Sequence, residues 1–319
     1  MTSSPLPWSC DRTLDAAGVA AALAHNFQDR FLDAAITYFG AGWDNETYVI
    51  TPHSGATGKR WLFRFPKRAD CVPAMERELE TLPVISDALS IAVPTPTFVG
   101  QPSDAFPYPF FGYDMIEGVT GDDLDFEVRE REQLARTLGE DLRRLHDLTF
   151  PGLDLPVAGE TFEARITRVE EDFSLLEEAL GVSRAKSWAK QWREATLPPL
   201  YQGPPRFLHD DLGSSHMIFS PESKRLVGLI DFTDQALGAP ERDLVGMLTW
   251  MGEPFVREIA DAYGADAILP DDIAWERLRL STLLAATRWL QDAQRAGEEM
   301  GAWRTWLHEQ LAPMLNAMC

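Results

Sequence analysis

Two aspartates at the ends of short apolar runs are the residues of this chain best placed to do chemistry. Asp211 stands in His209-Asp210-Asp211-Leu212-Gly213-Ser214-Ser215-His216, a loop that leads into the apolar strand Met217-Ile218-Phe219. Asp231, followed by Phe232, ends a second apolar run, Leu226-Val227-Gly228-Leu229-Ile230. Phosphoryl transfer needs such a pair. One carboxylate orients or deprotonates the attacking hydroxyl, and another holds Mg2+ on the nucleotide phosphates. An H-x-D triplet alone arises by chance. Its meaning comes from the second aspartate and from the order of elements around it.

Those elements read as a β-rich stretch followed by a helical one. A short amphipathic helix is expected over Leu14–Phe27. Three strands follow, Ala35–Phe39, Thr47–Thr51 and Arg60–Phe65, separated by Gly40-Ala41-Gly42 and by His53-Ser54-Gly55-Ala56-Thr57-Gly58. A charged helix, Val72–Leu89, carries Met75, Leu79, Leu82 and Ile85 at helical spacing. A proline-rich passage, Pro94 to Pro109, leads into a strand at Phe110–Ile116. Beyond Gly118 the pattern turns helical: Glu130–Leu148, with Leu134, Leu138, Leu142 and Leu145 on one face, then Phe162–Leu180 and Val182–Ala195. The loop-and-strand segment Pro204–Phe232 interrupts the helices. They resume from Glu241 to Met318, with tryptophans at 250, 275, 289, 303 and 306.

Composition narrows the function classes. The 319 residues are 45% hydrophobic and 25% charged, enough for a sizeable core. The net charge of −21 argues against a duplex nucleic-acid binder and against adhesion to an anionic membrane. It favours a cationic partner. Five of the eight basic residues before Gly118 fall in one window, Lys59, Arg60, Arg64, Lys67 and Arg68, which suits an anion bound by the first part of the chain. Cys10, Cys71 and Cys319 are too scattered for a disulfide framework or a metal site. With no secretory signal visible in Met1–Leu14 and no run of about 20 apolar residues, a cytoplasmic protein is expected.

The spacing H-x-D-x-x-x-x-(ligand), then D-F, has the form of kinase catalytic and metal loops. With Gly42-Trp43-Asp44-Asn45, Phe63-Arg64-Phe65-Pro66-Lys67 and His209 through Phe219, the chain resembles the aminoglycoside phosphotransferase family. It looks most like the 2″-phosphotransferases, and the macrolide phosphotransferases are also similar. The resemblance runs from Phe39 to the last helices. It implies an α+β, protein-kinase-like fold with a β-rich nucleotide-binding lobe over 1–118 and a mostly helical catalytic lobe over 119–319. It also implies a monomer or homodimer that uses Mg2+ and either GTP or ATP, and a small-molecule acceptor, a cationic antibiotic foremost.

Site residues carry over one at a time. Asp211 matches the catalytic aspartate. Asp231 and His216 match the metal-binding positions, and Asp243 matches an aspartate that braces the loop. Arg64 takes the place of the strand lysine that pairs with the phosphates and with a helix glutamate, here Glu78. Arginine there is a departure, since its planar fork is not a point charge. Lys67 could compensate, though it is expected to point outward. The turn with Asp44 and Asn45 would cover the phosphates. The backbone of Asp114, Met115 and Ile116 would meet the base, with Tyr113 at the gatekeeper position, which in 2″ relatives goes with GTP. Asp210, Trp250, Glu253, Trp275 and Trp289 are the acceptor-site candidates. Thr249-Trp250-Met251-Gly252-Glu253 is less acidic than the corresponding family segment. That leaves a macrolide or another metabolite open as acceptor. Arg64 and His216 together leave open a nucleotide-binding protein without turnover.

Overall fold

The structure, a computed structural model, describes residues 10–11, 14–52, 58–264 and 268–297. The turn expected at 53–57, and the helical reading beyond 297 with Trp303, Trp306 and Cys319, lie outside these residues. The chain divides into two compact units. The first runs to Gly118 and also takes 150–153 and 227–234; the second holds the rest. The residues around Asp231 therefore belong to the first unit, which an uninterrupted boundary at Gly118 does not anticipate.

The first unit is built on a five-stranded antiparallel sheet. Helix α1 (Ala16–Phe27) begins at Asp15, whose side chain accepts the Gly18 N–H at 2.7 Å, a standard N-cap. Strands β1 (Ala34–Ala41), β2 (Asn45–Pro52) and β3 (Trp61–Pro66) form a meander. Helix α2 (Val72–Ala88) follows, then β4 (Phe98–Gly100) and β5 (Phe110–Asp114). The strand order is β1-β2-β3-β5-β4. Side chains alternate across β3. Phe63 and Phe65 enter an aromatic core with Phe31, Phe98, Phe106 and Phe110, and the Phe65 and Phe110 rings stack 4.6 Å apart. Arg64 points to the opposite face, where α2 lies. Residues 227–229 are held by Ala92, whose N–H donates to Val227 O and whose carbonyl accepts from Leu229 N.

Two expectations for this unit change. The proline-rich passage contains a strand, β4, because Phe98–Gly100 pairs with Gly112–Phe110. The strand expected to run to Ile116 stops at Asp114, since its partner β3 begins at Trp61, opposite Asp114.

The second unit opens with β6 (Val119–Thr120) and α3 (Val128–His146), whose leucines 134, 138, 142 and 145 are all buried. Strand β7 (Val157–Ala158) follows, then α4 (Phe162–Glu171), α5 (Phe173–Leu180) and α6 (Val182–Arg193). The single helix expected over Phe162–Leu180 is broken at Asp172. Its carboxylate accepts from Arg288 and Arg295, at 2.6 Å each, which favours a bend over a continued helix. Strands β8 (Arg206–Leu208) and β9 (Met217–Phe219) flank the Asp211 loop; β10 (Leu226–Leu229), which leads toward Asp231, belongs to the first unit from Val227 onward, and β11 (Ala236–Gly238) pairs with both β7 and β8. Helix α7 (Val245–Tyr263) is kinked at Gly252, where φ is 76°, just before Pro254. Helix α8 (Asp272–Ala296) packs with α4, α5 and α6 around Trp188 and Trp192. Among the described residues no helix is long and apolar enough to cross a membrane.

Candidate active site

In the first unit a buried ionic cluster gathers Arg64, Glu78, Asp231 and Thr233. Arg64 is 5% exposed and Glu78 fully buried. Arg64 Nη1 donates to Glu78 Oε1 at 2.6 Å, and Nη2 donates to Asp231 Oδ1 at 3.0 Å and to Thr233 Oγ1 at 2.7 Å. The Thr233 hydroxyl donates in turn to Asp231 Oδ1 at 2.8 Å. A guanidinium fork can serve a helix glutamate and the Asp231 loop at once, which an ammonium does less readily. Burial pushes the Glu78 carboxyl up to about 7 against the opposing pull of Arg64. Asp231 keeps φ at 65°, a left-handed conformation uncommon outside glycine, and its side chain is 42% exposed.

The turn between β1 and β2 is braced from behind. Asp44 accepts from Arg68 Nη2 at 3.0 Å, and Gly42 N donates to Asn45 O at 3.0 Å. Lys67, expected to point outward, is 6% exposed, and its Nζ donates to Gly42 O at 2.5 Å. The turn's carbonyl draws the ammonium in, so Lys67 stiffens the loop. Asn45 is buried with Oδ1 unpartnered among the described residues. Tyr113 is buried beside Phe111. Burial pushes its hydroxyl up, and the charges of Arg64, Asp231 and Glu78 act on it. Asp114 pairs with Lys59 at 2.8 Å, and the Met115 N–H is given to Arg60 O at 2.9 Å, which ties that donor to the sheet; Ile116 packs near Gly228.

In the second unit the loop after β8 hangs on one buried carboxylate. Asp243 Oδ2 accepts the His209 N–H at 3.0 Å, and Oδ1 accepts the Asp210 N–H at 2.8 Å. His146 Nε2 lies 3.1 Å from Oδ2, and its Nδ1 is 3.0 Å from the Tyr263 hydroxyl. Burial alone would raise the Asp243 carboxyl, but His146 and the backbone donors outweigh it and hold it low. His209 is fully buried, and its Nδ1 accepts the Asp211 N–H at 3.3 Å. Its ring orders loop backbone. Asp210, at φ 64°, turns its side chain to Arg242, which donates to it at 2.6 and 2.9 Å. Asp211 is left with a side chain 46% exposed. His216 Nδ1 donates to the Asp211 carbonyl at 2.7 Å, so the lone pair of the neutral ring lies on Nε2.

Gly246, in the first turn of α7, lies against this loop. A Cβ there would come 2.1 Å from Leu212 O. Gly246→Ala must displace the backbone one residue after Asp211, at a cost of about 1–3 kcal/mol. The expected result is a folded protein with a lowered melting temperature and reduced kcat, read by calorimetry and steady-state kinetics on one preparation.

The phosphotransferase enzyme family matches residues 35–281 of this chain. The chain belongs to the phosphotransferase enzyme family. It is a kinase-type enzyme that acts on a hydroxyl group. The GDP complex of wild-type aminoglycoside 2'-phosphotransferase-IIIa superposes with a TM-score of 0.71 at 23% identity, covering 96% of this chain and 98% of that one. Macrolide 2'-phosphotransferase type I superposes with a TM-score of 0.59 at 19% identity, covering 98% and 99%. In sequence, the uncharacterized protein YcbJ of Bacillus subtilis (strain 168) is 24% identical over 229 residues, 65% of this chain and 68% of its own. These likenesses establish the α+β, kinase-like fold that the resemblance implied.

The acceptor-site candidates of this phosphotransferase fall in different surroundings. Asp210 is engaged by Arg242. Trp250 packs among Phe126, Phe219 and Phe255. Glu253 accepts from Arg279 at 2.7 Å and from Arg257 at 3.0 Å. Trp275 is buried, with both those guanidinium groups against its ring. Trp289 lines a hollow with Arg165, Arg242 and Arg288. Asp231 suits a Mg2+ ion that arrives with a nucleotide, because Mg2+ takes one or two protein carboxylates and fills its shell with water and phosphate oxygens. Thr233 and Arg242 escaped the sequence reading. Each lies within two residues of a recognised aspartate, but no spacing rule marks a hydroxyl or guanidinium that acts through a neighbour.

Proposed function

We propose that this phosphotransferase moves the γ-phosphoryl group of GTP or ATP to a hydroxyl of a small molecule. The observation that supports this best is the Asp211 loop. Its backbone is pinned by Asp243 and His209 while the Asp211 carboxylate stays half exposed. The acceptor oxygen attacks the γ-phosphorus as the bond to the β-bridging oxygen breaks, the hydroxyl proton passes to Asp211, and the nucleoside diphosphate leaves. Mg2+, when bound, neutralises charge on the phosphate oxygens. Asp231 would hold it, and His216 would offer Nε2. Arg64 positions Asp231 through its bonds to Asp231 and Thr233. A nucleoside triphosphate donor suits a cytoplasmic enzyme.

An aminoglycoside acceptor is supported by the resemblance and by the net charge of −21. A polycation needs carboxylates to meet it, however, and Asp210 and Glu253 are already paired with arginines. Mg2+-dependent release of GDP or ADP across aminoglycosides, macrolides and hydroxylated metabolites tests the proposal. Release no faster than without enzyme, for every acceptor and both nucleotides, would identify a nucleotide-binding protein without turnover.

GTP is the favoured donor, because buried Tyr113 narrows the space beside the strand that would meet the base. Tyr113→Ala is expected to raise kcat/KM for ATP and leave that for GTP little changed. A wild-type enzyme that uses both nucleotides equally, or prefers ATP, contradicts this steric account.

A further inference from the structure

Two adjacent hollows of about 350 Å³ each open in the second unit and share the wall formed by Val157–Glu160, Arg165 and Arg242. Each is large enough for a small ligand. Their charge runs against the rest of the molecule. The chain has 29 basic and 50 acidic residues, yet five arginines line these hollows (165, 168, 242, 277 and 288) against two glutamates (160 and 241). Four of the arginines are matched: Arg168 with Glu160, Arg242 with Asp210, Arg277 with Glu241, and Arg288 with Asp172.

Arg165 is the one left over. Among the described residues no carboxylate lies within ion-pair distance of it. Its Nη1 and Nη2 donate to Oγ and O of Ser281 at 3.0 Å each, and Phe162 stacks near its guanidinium. A guanidinium carries five N–H donors, so three remain. Burial, followed by the nearby charge of Arg242, pushes the Arg165 pKa down to about 10. Glu160 and Asp210 act on this half-buried guanidinium only from beyond ion-pair distance, and an anionic ligand would supply the contacting carboxylate or phosphate that it lacks.

We propose that these hollows hold the acidic end of the acceptor: the phosphorylated hydroxyl belongs to a small molecule that also bears a carboxylate or a phosphate, which pairs with Arg165. This rests on the phosphoryl-transfer reading above. Arg242 links the two, because it walls both hollows and clamps Asp210, the residue before Asp211. Tyr201, Leu200 and Phe162 supply an apolar wall for the body of the ligand. The same arginines repel an ammonium-bearing acceptor.

The test uses the full chain saturated with Mg2+–GDP, so that the nucleotide site is filled. Glucose, glucuronate and glucose 6-phosphate are titrated by calorimetry. Glucuronate or glucose 6-phosphate is expected to bind and glucose not; the tighter of the two names the acidic group. Arg165→Gln should weaken that binding about 10- to 100-fold, and Arg165→Lys should restore part of it. In the wild type alone, the bound anion should slow phenylglyoxal modification of Arg165, mapped by mass spectrometry. Equal binding of all three sugars, binding of kanamycin in preference to the anions, or no protection of Arg165 would overturn the proposal. Acceptor-independent, Mg2+-dependent hydrolysis of GTP or ATP is measured in parallel. If hydrolysis is present and anion binding absent, the acceptor proposal alone fails. If anions bind and neither nucleotide releases its diphosphate with any acceptor of the panel, the phosphoryl-transfer reading fails.

Discussion

Asp211→Asn lowers phosphoryl transfer by about 10²–10⁴-fold, the usual cost of losing a general base. Asparagine keeps the shape of the side chain and removes its ability to take the hydroxyl proton. The fold should survive, because the loop is anchored elsewhere: Asp243 accepts the backbone N–H groups of His209 and Asp210, and His209 accepts that of Asp211. None of these bonds uses the Asp211 carboxylate, which is 46% exposed. The measurements are NDP release with the best acceptor, thermal melting and nucleotide affinity. A variant that melts and binds nucleotide like the wild type but turns over slowly agrees with the assignment. Turnover within a few-fold of wild type would remove Asp211 from the chemistry.

Arg64→Ala should destabilise the protein by about 3–5 kcal/mol, the range found when one partner of a buried ion pair is deleted. Glu78 is fully buried and Arg64 donates to it at 2.6 Å, so truncation strands a carboxylate in the interior. The loss should depend on pH, with a definite sign. Burial already pushes Glu78 up to about 7, and Arg64 is the largest influence pulling it down. Without Arg64 the native state holds the Glu78 proton to still higher pH, whereas the unfolded chain releases it near 4.3. A folded-state pKa raised in this way contributes stability that is complete below the unfolded value and disappears as pH rises through the folded value. The deficit of Arg64→Ala relative to wild type should therefore be smaller at pH 6 than at pH 8 in urea titrations without Mg2+. A deficit that shrinks toward pH 8 would contradict the charge argument. The double change Arg64→Met with Glu78→Leu should recover much of the loss, since apolar residues of similar volume often replace a buried pair at little cost.

Asp211 and Asp231 stood out by residue type and order, Arg64 and Glu78 entered through the family resemblance, and the structure gathers Arg64, Glu78 and Asp231 in one cluster. Their elements have strong local signals: β3 is rich in aromatic residues and follows a glycine-bearing stretch of sequence, α2 has apolar residues at helical spacing, and the Asp211 loop opens onto three consecutive apolar residues. Periodicity also placed the buried leucines of α3, because a 3.6-residue repeat is a property of the chain itself. What these signals cannot carry is which partner a polar side chain takes. Lys67 turned inward because the Gly42 carbonyl stands within reach in the folded turn. The helix expected to continue to Leu180 bends at Asp172 because α8, more than a hundred residues later, supplies two arginines. Asp231 joins the first unit because residues 227–229 pair with Ala92. The charge of the hollows was hidden for the same reason. Arg165 and Arg288 lie far apart in a chain with a net charge of −21, and a sum over the sequence has no term for which charges end up paired. Composition and periodicity depend on near neighbours along the chain. The pairing of buried charges depends on distances that exist only after the chain has folded.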